Sequence, residues 1–124
     1  MNKQKNKGSA DFYDSISVRP IEKKHVQAAL SRDSLIDRKF IQYHLKNKHV
    51  WKLFVFYTRE LVKRGFKHQS SDFVLHRIRW YAAVETKGDA FKLNNNYTAC
   101  YARVFHEVYP EYTGFFRTRV RKSE

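Results

Sequence analysis

The sequence holds one cysteine in 124 residues, Cys100, so no intramolecular disulfide can form and no Cys pair exists for a zinc knuckle. No apolar run approaches the ~20 residues that span a bilayer. The N-terminal residues are polar and Lys-rich, with no apolar stretch behind them. From these absences we expect a cytoplasmic, reducing location and no membrane partner. Acidic residues are also scarce. Twelve Asp and Glu face 25 Lys and Arg, a formal charge of +13 with a pI near 10.0. That balance excludes an acidic DNA mimic and points to a polyanionic partner.

Catalytic patterns are missing as well. The six histidines, His25, His44, His49, His68, His76 and His106, form no His-x-x-x-His or His-Glu-x-x-His pair. Nor is there a Gly-rich phosphate loop, a Ser nucleophile motif or a Cys–His pair. We therefore expect no catalytic residue, no metal ligand and no cofactor. A metal-dependent nuclease is the enzyme alternative. It would use Glu85 and Asp89 beside Lys87 as its carboxylate pair, although such acid–Lys clusters are common in turns. A ββα nuclease needs a histidine base, and the segment 91–103 supplies Asn without it.

What the chain does have is rings. Ten Phe, eight Tyr and two Trp, within a hydrophobic fraction of 42%, exclude a wholly disordered basic tail. The length fits one domain. The charge is uneven. Residues 38–67 carry nine cations against Glu60 alone, a net of +8, while residues 1–10 and 115–124 contribute +3 each. The remaining residues come to −1, so the excess lies in one central region and at two ends.

Residues 1–18 lack a helical period and are expected to form a flexible basic arm that adds Lys3, Lys5 and Lys7 to a polyanion footprint. Residues 19–124 are expected to form a single helical domain with a basic C-terminal strand or tail. Pro20 suits a first helical turn leading to about Ser31. Asp33 or Ser34 caps a second helix to about Lys46, and a third runs from about Val50 until Gly65 ends it. Ser71 or Asp72 caps a fourth, from about Phe73 to Glu85, and a fifth spans Tyr97 to Tyr109, closed by Pro110. Short strands are expected at 66–70, 91–93 and 115–120. The expected class is mainly α with minor β, a compact helical domain resembling a winged helix or helix-turn-helix, though with no room for a two-strand wing.

Several cations stand out as contacts to nucleic acid. Lys52, Arg59 and Lys63 lie on the third helix, with Arg64 at its end. On the fourth helix Arg77 falls inside an apolar arc, where it either pairs with an acid such as Glu85 or Glu107 or is aimed at a ligand. Arg79 and His76 lie on the polar side. Asn94, Asn95 and Asn96 serve turn and cap geometry or an adenine contact, with Lys92 before them and Arg103 after. Arg117, Arg119 and Arg121 alternate, with Lys122 beside them, and in a strand would track a phosphate backbone. Phe115 and Phe116 either fill the core or stack on bases.

The succession Arg77-Ile78-Arg79-Trp80, Phe91-Lys92-Leu93-Asn94-Asn95-Asn96, Tyr101-Ala102-Arg103 and Phe115-Phe116-Arg117-Thr118-Arg119 resembles small basic proteins encoded by phages, prophages and their bacterial hosts. The resemblance covers roughly residues 49–120. It implies a bacterial or phage setting and no particular activity. From its basic region and ends the chain is expected to bind nucleic acid, with double-stranded DNA favoured over RNA. The alternative is docking on a host or defence protein complex.

Overall fold

The computed structural model describes residues 15–85 and 95–117, apart from the side chains of Glu85 and Asn95. The described residues form five α-helices: α1 (Lys23–Leu30), α2 (Leu35–Lys46), α3 (Lys48–Lys63), α4 (Ser71–Trp80) and α5 (Thr98–Val108). A π turn, Tyr81–Glu85, extends α4. Single 3-10 turns, Asn95–Tyr97 and Pro110–Tyr112, flank α5. The domain is mainly helical.

Local chemistry sets the boundaries. At α1 the Glu22 N–H donates to His25 Nδ1 at 2.9 Å, satisfying a group that the helix leaves open. Asp33, at φ +52°, reverses the chain into α2. Gly65, at φ +93°, closes α3 in the left-handed region, where a side chain is disfavoured. Ser70, rather than Ser71 or Asp72, caps α4: its Oγ accepts from the Phe73 N–H at 3.1 Å.

α5 lies at the centre, against α1, α3 and α4. Its Cys100, Tyr101, Val104 and Phe105 are fully buried. Phe54 of α3 stacks on Tyr101 with ring centroids 5.3 Å apart and meets Phe105 at 6.0 Å. Phe40 of α2 places its edge on Tyr101 at 4.7 Å. These offset and edge-on arrangements suit the ring quadrupole, and together they account for much of the aromatic surplus.

No β-strand occurs among the described residues. The expected strand at 66–70 is an irregular connection, in which the Gln69 N–H donates to the Phe115 carbonyl at 3.1 Å. The expected strand at 115–120 fails at its start for a packing reason. A bend following Gly114 lets Phe115 and Phe116 both enter the core, whereas a strand would alternate them. Residues 91–93 and 118–120 lie outside the described residues.

The expected arm also ends earlier than residue 18. Ile16 and Val18 pack against the core, and the Trp51 indole N–H donates to the Arg19 carbonyl at 2.8 Å. This extended strap delays α1 to Lys23. Residues 1–14 lie outside the described residues.

Candidate nucleic-acid interface

One side of α3 packs into the core through Trp51, Phe54, Val55 and Thr58. Away from it, Lys48, Lys52, Arg59 and Lys63 follow one another at four-, seven- and four-residue intervals. Side chains so spaced share a helix face. At 1.5 Å per residue the stripe is about 22 Å long. Lys48, Arg59 and Lys63 are exposed, and Lys52 is half-buried. Arg59 donates to the Ser17 carbonyl at 3.4 Å, and Lys63 approaches Glu60 at 3.3 Å. Arg64 and Lys67, both exposed, continue the charge past the helix end.

A second feature lies between α3 and α4. An open groove of about 490 Å³ is lined by Tyr57, Leu61, Phe73, Val74, Arg77 and Trp80, and also by Glu60 and His76. The Arg77 guanidinium sits 4.6 Å from the Tyr57 ring centroid, a cation–π geometry. The alternative pairing of Arg77 with Glu107 does not form, because Glu107 faces Arg32 at 3.8 Å. The Glu85 side chain lies outside the described residues. On the polar side of α4, His76 Nε2 is 3.0 Å from Asp72, and Arg79 is 3.5 Å from His76 Nδ1.

Arg103 is placed differently from the other expected contacts. Its side chain is only 17% exposed and stands 4.0 Å from the carboxylate of Asp37, a fully buried residue of α2. Arg32 reaches the same carboxylate at 3.3 Å, and the Cys100 thiol donates to it at 3.4 Å. This cluster holds α5 to α2, with Asp37 and Cys100 fully buried, Arg103 largely so, and Arg32 at its outer edge. Asn96 is exposed, and Asn95 lies in the 3-10 turn before α5. The residue at the α5 cap position is Tyr97, with no side-chain cap bond, and the two Asn precede it in the 3-10 turn. Arg117 is exposed. Lys3, Lys5, Lys7, Lys92, Asn94, Arg119, Arg121 and Lys122 lie outside the described residues, as does the Asp89 half of the suggested carboxylate pair.

Arg19 is a structural residue that sequence reasoning missed. Its guanidinium makes two bonds to Glu111, at 3.0 and 2.7 Å, donates to the Val108 carbonyl at 3.0 Å, and lies 4.5 Å from the Tyr109 ring centroid. The hydrogen bond to Glu111 raises the Arg19 pKa, and the same bond lowers that of Glu111. No local pattern could have revealed a pair 92 positions apart.

Titratable groups in the interior respond to burial. Loss of water, with Lys48 nearby, lowers His44 to about 4, and burial beside Tyr97 raises Tyr43 to about 12. His106 is lowered for the same reason, and its Nε2 accepts from the Phe116 N–H at 3.2 Å, which needs the neutral ring. Among the described residues no three His, Cys, Asp or Glu side chains stand together to hold a metal ion, and no helix is long and apolar enough to cross a membrane. No family model, curated protein or solved structure matches the chain.

Proposed function

We propose that the chain binds nucleic acid, DNA in the first instance, by laying the basic stripe of α3 along a phosphate backbone. The stripe itself carries this reading: four cations on one helix face with Glu60 as the neighbouring acid, in a chain of charge +13. Such a surface neutralises phosphates and releases their counterions, the dominant sequence-independent source of affinity. Arg64, Lys67 and Arg117 extend the footprint. Within this reading α3, the connection 64–70 and α4 take the part of a helix-turn-helix. The resemblance to phage and prophage proteins gives the setting, DNA regulation or packaging in a mobile element.

An electrophoretic shift measured across a salt series tests the proposal. Log affinity should fall linearly with log salt, by about 0.9 per neutralised phosphate on B-DNA. The combined variant Lys52→Gln, Arg59→Gln, Lys63→Gln should melt close to the parent and lose up to three contacts' worth of that slope. A slope that is flat in the parent, or equal in parent and variant, would remove the stripe as the binding face.

A further inference from the structure

We propose that the groove between α3 and α4 is a stacking site for unpaired nucleobases, so that the preferred ligand of this protein is single-stranded or locally opened nucleic acid. The inference rests on the nucleic-acid reading above and narrows its ligand class. Its starting point is the exposure of rings that a folded domain normally hides. Phe73 is 51% exposed and Trp80 58% exposed, although the core is otherwise rich in fully buried aromatics. They stand seven residues apart on α4 with Arg77 between them, on one face. Along the helix that is about 10 Å, close to three base steps of 3.4 Å. Between the two rings Arg77 packs over the Tyr57 ring, beside an apolar floor of Leu61 and Val74.

The charge around the groove selects among occupants. A second copy of the chain would bring another +13 against the first. A nucleotide strand matches both parts of the surface at once. Its bases have apolar π faces that stack on aromatic rings and guanidinium planes, and its phosphates follow at a fixed tether. Arg59 and Lys63 occupy the same two turns of α3 that supply Tyr57 and Leu61, and Arg64 follows at the helix end, so cations for those phosphates lie within one helix width. A duplex with paired, stacked bases can use the stripe and leaves the groove empty.

The two tryptophans provide the test. Trp51 is 2% exposed in the core, whereas Trp80 lines the groove, so quenching on ligand addition reports Trp80. The full chain is titrated with a 15-mer oligothymidylate, an abasic oligomer of equal phosphate number and a duplex of equal length, each followed by fluorescence and by affinity. The expected result is quenching by oligothymidylate and at least tenfold tighter binding than to the abasic oligomer. Trp80→Ala should retain the parent melting temperature and salt slope but lose about five- to a hundredfold of the oligothymidylate affinity. Equal binding of abasic and base-bearing oligomers overturns the stacking site while leaving the stripe intact. Binding of neither overturns both. Duplex binding that matches the oligothymidylate without quenching assigns the ligand to the stripe alone. Quenching by an acidic amphipathic peptide but not by oligothymidylate gives the groove to a protein partner instead.

Discussion

Arginines at the α2–α5 interface and on the outer side of α3 have the same chemistry and different fates. Arg103 and Arg32 converge on Asp37, which is completely buried, and with the Cys100 thiol they form a closed set joining three parts of the chain. On α3 the cations Lys48 and Lys63 point to water, with Glu60 beside Lys63, and Arg59, exposed as well, reaches the Ser17 carbonyl. Basic residues in a sequence therefore mark a polyanion footprint only where no carboxylate arrives from another element. The first set is a constraint on packing, and the second is available to a partner.

The sharpest way to break this contrast is to empty the buried set. Asp37→Ala leaves the largely buried Arg103 without its carboxylate, while Arg32 keeps Glu107, and should cost about 3–5 kcal/mol, the range for removing one partner of a buried charged pair. Denaturant unfolding measures it. Affinity for nucleic acid per folded molecule should be unchanged, because Asp37 is fully buried and lies on α2, away from the stripe. A variant as stable as the parent would mean that the cluster contributes nothing, and the distinction between spent and available cations would fail with it. Arg103→Ala should act in the same direction with a smaller loss, since Arg32 still meets the carboxylate.

The next largest effect concerns pH. His44 is buried on α2, with its folded pKa lowered from 6.5 to about 4. Between those values the unfolded chain binds a proton that the folded chain refuses, so stability falls as pH drops from 6.5 to about 4 and levels off below. The full loss is on the order of 3 kcal/mol. His106, also lowered by burial, adds a change of the same sign. His44→Leu removes the titrating ring along with an Nδ1 that has no hydrogen-bond partner, and it should flatten the acid limb. An unchanged acid limb in His44→Leu would assign the pH dependence elsewhere. The α3 stripe should contribute little across this range, since Lys and Arg keep their charge throughout.

The sequence made the helices legible because their apolar positions recur at the helical period, as with Trp51, Phe54, Tyr57 and Leu61, and because Gly65 is a stop with a mechanism. Three cations of the stripe, Lys52, Arg59 and Lys63, were legible on that helix, whereas Lys48 was not, because the helix starts two residues before the expected Val50. What it concealed were relations between distant positions. The burial of Arg103 depends on Asp37, and the anchoring of the strap depends on Arg19 finding Glu111 and Tyr109. The strand expectation at 115–120 read an alternation that the bend after Gly114 cancels at Phe115 and Phe116, because core volume decided their placement. The groove was half visible: Arg77 between apolar groups showed an anomaly, but Tyr57 as its platform needed the α3–α4 register.

The smallest expected effect separates the two faces of α3 most finely. Glu60 is the acid beside the stripe; it approaches Lys63 at 3.3 Å and also lines the groove. Exposed pairs of this kind contribute about 0.2–1 kcal/mol, so Glu60→Gln should shift stability by less than about 1 kcal/mol while keeping the side-chain shape. Its effect on binding should have the opposite sign. Removing one negative charge next to Lys63 raises the local positive potential and frees that ammonium for phosphate, so affinity should rise severalfold at low salt. The gain should shrink as salt increases, because screening at about 0.1 M acts over roughly 10 Å. Most of it should appear in the association rate, where long-range charge acts. Binding that is unchanged or weaker in Glu60→Gln at low salt would show that the phosphates pass elsewhere, and the stripe would then have to yield its role to Arg117 and the basic ends of the chain.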